Sequence, residues 1–187
     1  MTARWKKIAT LVAALSAPAL GVQAMGEEMS FHDFHFTTID GGDLPLDRFR
    51  GKAVLLVNTA SFCGFTGQYA DLQQIWREYR DRGLVVLGVP SNDFGGQEPG
   101  TAEEIKDFCE ANYDIDFPMT AKAAVIGADA HPLYHWIGAE LGEGAQPKWN
   151  FHKYLFDRQG GFAGAWPSRV KPTAAEIRAA VEKALEP

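Results

Sequence analysis

Cysteine is scarce in this chain. Its 187 residues include two, Cys63 and Cys109, and the position three after Cys63 is Thr66. A thiol–disulfide oxidoreductase would want a second cysteine there, so a C-x-x-C relay is excluded. A metallochaperone would need another soft ligand beside Cys63, and none is present. Basic residues are outnumbered, 18 Lys and Arg against 24 Asp and Glu, for a net charge of −6. An acidic chain without a basic stripe is a poor partner for nucleic acid or an anionic membrane. The glycine-rich stretch Gly95-Gly96-Gln97-Glu98-Pro99-Gly100 lacks the Lys-Ser/Thr of a phosphate loop. His32 and His35 fall on opposite faces of an alternating segment and are expected to be exposed. His131 and His135 have helical i, i+4 spacing but no further ligand. No metal, flavin or nucleotide cofactor is implied.

Long apolar runs are also missing, apart from one near the start. Ile8 to Val22 is too short to span a bilayer and is broken by Ser16 and Pro18. Arg4, Lys6 and Lys7 precede it, and Val22-Gln23-Ala24 supplies a small-residue cleavage site. Residues 1–24 therefore read as a secretory signal peptide, with an uncleaved anchor as the alternative. Residues 25–187 then form one domain, long enough for a single core. The expected location is outside the cytoplasm, in a bacterial periplasm.

What is present is an alternation of strand and helix. Phe34 to Thr38 alternates like a half-buried strand, and Asp40-Gly41-Gly42-Asp43 turns it towards Leu44-Pro45-Leu46. Lys52 to Thr59 and Gly83 to Val89 are short branched apolar runs, read as buried strands. Leu72, Ile75, Trp76 and Tyr79 recur at helical spacing after Gly67. Thr101-Ala102-Glu103-Glu104 matches a capping box that opens a helix through Ile105, Phe108 and Cys109. Asn150 to Asp157 reads as a strand, Arg158 to Gly161 as a hairpin turn into Phe162 to Trp166. A last helix begins at Thr173, with Ile177, Ala180, Val181 and Leu185 on one face. This order implies an α/β thioredoxin-like fold: a central mixed sheet flanked by helices, with an N-terminal hairpin.

Cys63 stands where the first buried strand ends and its helix begins. At an ordinary pKa near 8.5, only about 3 per cent of a thiol is ionised at pH 7. Helix N-terminal N–H groups and the dipole there would favour the thiolate, the form that attacks. The alternative is a small buried hydrophobe closing a strand.

Three separated motifs carry a resemblance. N-T-A-S-F-C-G-F-T, then G-L-V-V-L-G-V-P-S-N-D-F-G-G-Q-E-P-G, then K-W-N-F-H-K-Y-L-F-D together resemble the glutathione peroxidase family, over about Phe34 to Leu185. The resemblance implies a peroxidase acting on hydrogen peroxide or organic hydroperoxides, with Cys63 as the attacking residue. It assigns Gln97, Trp149 and Asn150 as its partners. An amide or indole N–H donates to a thiolate without being an acid, and can also hold charge on the leaving oxygen. The plainer readings are a turn-stabilising side chain for Gln97 and a core aromatic for Trp149.

Cys109 resembles the resolving cysteine of the two-cysteine, thioredoxin-dependent branch. That cycle would oxidise Cys63 to a sulfenic acid, condense it with Cys109, and return the disulfide to a thioredoxin-like protein or glutathione. Cys109 also shares helical spacing with Ile105, so a core cysteine or a permanent disulfide are alternatives. If buried, it must leave its helix locally, because bridged Cα atoms lie within about 7 Å. Only a short segment, Gly138 to Pro147, connects His131-Pro132-Leu133-Tyr134 to Lys148. Tetrameric glutathione-using members carry a long insertion there, so a monomer or loose dimer with an open site is expected. Two positions depart from the family's P-C-N-Q-F-G: Ser91 removes a third cysteine, and Asp93 places a carboxylate near the site or out in solvent. A peroxide sensor that passes its disulfide to a partner would use the same two cysteines.

Overall fold

The computed structural model describes residues 29–186. The proposed signal peptide, residues 1–24, lies outside them. Two β-strands form the N-terminal hairpin, β1 (His35–Thr37) and β2 (Asp43–Pro45), paired antiparallel. Alternation governs both, since each buries only its central residue, Phe36 or Leu44. Four further strands form the main sheet: β3 (Ala53–Thr59), β4 (Leu84–Pro90), β5 (Lys153–Phe156) and β6 (Phe162–Trp166). Their order is β4-β3-β5-β6, with β3 parallel to β4 and antiparallel to β5. β3 and β4 are buried at all seven positions, which is why they read as continuous apolar runs.

Helices α1 (Gln68–Tyr79), α2 (Ala102–Tyr113), α3 (Pro132–Leu141) and α4 (Ala175–Ala184) complete the layers. Leu55 and Val57 point into a core shared with α1, α2 and α4, through Leu72, Ile75, Ile105, Cys109, Ile177 and Val181. Val54 and Leu56 face the other way, onto the hairpin and onto Leu133, Tyr134 and Ile137 of α3. The expected mixed sheet with helices on both faces is the observed one.

Several expectations shift locally. The strand expected from Asn150 starts only at Lys153, because Phe151 takes a left-handed φ of 61° that no strand accommodates. The last helix starts at Ala175, and the Thr173 hydroxyl instead donates to Asp71 at 2.9 Å. The first four residues of the short connection before Lys148 are helical, since α3 runs to Leu141. His32 lies in a 3₁₀ turn and is 3% exposed, not a surface residue of a strand. His131 is occupied: its Nδ1 accepts from the Leu133 N–H and its Nε2 meets the His35 carbonyl at 2.8 Å. It caps α3 instead of pairing with His135. Among the described residues, no group of three or more His, Cys, Asp or Glu side chains could hold a metal ion.

Candidate active site

Cys63 sits in a turn after β3, five residues ahead of α1, so the helix's own first N–H groups are not its neighbours. This corrects the helix-terminus expectation. The turn supplies the contact instead: the Phe65 N–H points at Cys63 Sγ, at 3.4 Å. Thr66 builds that turn. Its hydroxyl accepts from the Cys63 N–H at 3.0 Å and donates to the Cys63 carbonyl at 2.6 Å. Threonine in place of a second cysteine is therefore the turn's internal strut. Sγ is nearly buried, with Cys63 8% exposed.

Gln97 and Asn150 are brought together with this turn. The Gln97 carbonyl accepts the Phe62 N–H at 3.1 Å, one residue before Cys63. Asn150 Nδ2 donates to Gln97 Oε1 at 3.0 Å, which leaves the Gln97 Nε2 group as the free donor. Asn150 is fully buried, and its Oδ1 has no partner. Trp149 is more open, 39% exposed, with its ring against Phe94 at 5.8 Å. None of the three side chains hydrogen-bonds Sγ in this state; the sulfur's contact is the Phe65 amide. The fixed elements are the peptide planes around the site.

Three polar residues that sequence reasoning passed over hold those planes. Asn58, buried in β3, donates to the Trp149 carbonyl and accepts from the His152 N–H, each at 3.1 Å. Glu98 is completely buried and its Oε2 accepts the Ser61 N–H at 2.9 Å. Burial pushes the Glu98 carboxyl above its usual range, opposed by its bonds to Ser61 and by the Lys122 cation. Lys153, also completely buried, donates to Gln68 Oε1 at 2.5 Å and to the Val170 carbonyl at 2.6 Å. It ties the start of α1 to the loop before α4, and burial pulls its pKa down to about 7. Each is a polar residue in an apolar or glycine-rich setting, a signal visible in the sequence.

Asp93 is an exposed residue whose carboxylate is partly engaged away from Cys63. Its Oδ2 accepts the Val125 and Ile126 N–H groups at 2.6 and 3.1 Å, clamping the loop before α3. Cys109 is on α2, 1% exposed, inside the same core cluster as Cys63, and both thiols are free. Burial pushes its thiol up to about 11, with Glu98 and Glu110 adding to the rise and Tyr69 opposing it. In the reduced protein Cys109 is thus a protonated core residue.

The family model described as glutathione peroxidase matches residues 31–138, more than half of the chain. The chain belongs to the glutathione peroxidase family. It is 44% identical over 164 residues to a Synechocystis protein named hydroperoxy fatty acid reductase gpx1, covering 83% of this chain and 96% of that one. It is 41% identical to the glutathione peroxidase homolog BsaA of Bacillus subtilis, covering 84% and 99%. The crystal structure of Trgpx in its apo form superposes with a TM-score of 0.68 at 36% identity, over 84% of this chain and 95% of that one. A Chlorobium tepidum structure described as a putative thiol:disulfide interchange protein DsbE, at 18% identity and TM-score 0.60, shares the fold alone. The family bears out the expected thioredoxin-like fold and the reading of the chain as a thiol peroxidase.

Proposed function

We propose that this family member reduces hydrogen peroxide and organic hydroperoxides by a two-cysteine cycle. Cys63 thiolate attacks the peroxide O–O bond, becoming a sulfenic acid while the leaving oxygen takes a proton. Gln97, Asn150 and Trp149 orient the peroxide and hold that oxygen's charge. Cys109 thiol then condenses with the sulfenic acid, forming the disulfide and releasing water. An external dithiol, a thioredoxin-like protein in preference to glutathione, takes the oxidation away. The observation that carries this reading is the Cys63 turn bonded to the Gln97–Asn150 pair, with a second thiol in the same core cluster.

α2 suits the resolving role. Of its twelve residues only Ile105 and Cys109 are buried, and grooves of about 350 and 390 Å³ lie along it. Phe108 and Tyr113 are only half-buried against the core, and the other eight residues are on the surface side, so local opening can deliver Cys109. The leader at residues 1–24 supports export to a periplasm, and the short segment before Lys148 supports a monomer or loose dimer. The supply of electrons there would fall to a membrane-fed dithiol protein.

The test is one equivalent of hydrogen peroxide on the reduced protein, with thiols and disulfides read by mass spectrometry. A rapid Cys63–Cys109 bridge, and a trapped sulfenic acid on Cys63 in Cys109→Ser, are expected. A slow reaction that ignores Cys63→Ser would end the peroxidase reading.

A further inference from the structure

Beside the Cys63 turn lies a groove of about 390 Å³ that the peroxide chemistry does not use. Its walls are Phe62, Pro99, Ile105 and Phe108. Phe62 is 67% exposed, an unusual position for a large aromatic one residue from a reactive thiol. Ser61 and Glu98 also line the groove.

The α2 wall of the groove, which Glu104 lines, continues onto an acidic exposed face of that helix. α2 exposes Glu103, Glu104, Asp107 and Glu110. Its single lysine, Lys106, is already engaged by Asp40 at 2.7 Å. These acids share a twelve-residue segment with Cys109, so they travel with it whatever that segment does when the disulfide forms. Displacing α2 would widen the groove and leave Phe62, Pro99, Ser61 and Glu98 in place.

We propose that this groove and the acidic face of α2 form the docking surface for the reductant, a dithiol protein whose reactive cysteine lies on an extended apolar loop rimmed by lysine or arginine. The inference rests on the two-cysteine cycle above and identifies its electron donor by chemistry. The loop's apolar side chain lies on Phe62, and its basic rim meets the α2 acids. The partner's thiolate then attacks Cys109 Sγ; the Cys63–Cys109 bond breaks and Cys63 leaves as a thiolate. The partner's second thiol attacks the mixed disulfide, releasing Cys109, which regains a proton. Two electrons enter the enzyme, and the partner leaves as a disulfide.

The test uses the oxidised full chain and two reduced Cys-x-x-Cys peptides, one flanked by four lysines and one by four glutamates. Each reduction rate is divided by that of dithiothreitol on the same protein. The lysine peptide should be faster by roughly tenfold or more at low salt. That advantage should collapse at 1 M salt, where the Debye length is about 3 Å. Combining Glu103→Lys, Asp107→Lys and Glu110→Lys should invert the preference, and Phe62→Ala should slow both peptides. Equal peptide rates, a preference insensitive to salt and to charge reversal, or an indifferent Phe62→Ala would overturn the proposal. A protein that forms no Cys63–Cys109 disulfide under peroxide fails earlier, at the two-cysteine cycle itself.

Discussion

Weakening α2 at its N-terminus should accelerate the enzyme's second step. Thr101 and Glu104 form a reciprocal cap: the Glu104 N–H donates to Thr101 Oγ1 at 3.2 Å, and the Thr101 N–H to Glu104 Oε2 at 2.7 Å. Thr101→Ala removes one half of it and costs the helix about 1 kcal/mol. Its other anchors are two buried residues, Ile105 and Cys109, and the half-buried rings of Phe108 and Tyr113. Burial of Ile105 contributes about 2 kcal/mol, and Cys109 somewhat less. Opening α2 therefore lies a few kcal/mol up, below global unfolding at about 5–15 kcal/mol. A loss of about 1 kcal/mol raises the open population roughly fivefold. If Cys109 reaches Cys63 only from the open state, disulfide closure speeds up by about the same factor. Opening also frees the Cys109 thiol from the burial that pushes it up to about 11, so more of it ionises. Closure would be followed by stopped-flow tryptophan fluorescence after a peroxide pulse, and α2 opening by amide exchange over residues 102–113. Glu104→Gln keeps both cap bonds and should leave closure near the parent rate. Faster exchange in Thr101→Ala with unchanged closure would refute the reasoning, because opening would then not be on the path.

Two pH effects follow from buried groups. The Cys109 thiol is raised from 9.0 to about 11, so its contribution to stability is complete below pH 9 and is lost as the pH climbs through 11. In a Cys63→Ser background, the stability advantage of Cys109 over Cys109→Ala should shrink by about 1 kcal/mol at pH 10 and about 2 at pH 11, read by urea unfolding. His152 behaves oppositely: burial first, then Lys153 and Lys148, pull it from 6.5 to about 4. Its contribution is present above pH 6.5 and disappears as the pH falls towards 4. The protein should be about 2 kcal/mol less stable at pH 5 than at pH 7 on this account, and His152→Gln should flatten that slope. An unchanged acid slope in that variant would show that the ring is protonated without penalty.

Local pattern and long-range ties were legible to different degrees. Val54 to Val57 and Leu84 to Leu87 announce buried strands because both faces of the sheet are covered, and the T-A-E-E cap announces α2 because its bonds close within three residues. Phe151 was misread because its positive φ is imposed from elsewhere. The Asn58 carbonyl takes the Phe151 N–H at 2.6 Å, and the Asn58 side chain bonds Trp149 and His152. Those partners lie 91 and 94 residues away, beyond any window of periodicity. The Cys63 turn was misplaced for a similar reason, since Thr66 can close it only once Ala60 and Ser61 are held by β3 and Glu98.

Yet the ties left a trace. An asparagine inside V-L-L-V-N-T, a lysine heading Y-L-F, and a glutamate beside Gln97 each face a desolvation cost that only specific partners offset. Such residues are misfits by pattern, and here each bonds a segment that shapes the site: Asn58 the Trp149–His152 stretch, Lys153 the start of α1, Glu98 the chain into Cys63. In this fold the polar misfits in apolar runs locate the active site's scaffold, and the cysteine, glutamine, tryptophan and asparagine of the motifs locate its chemistry.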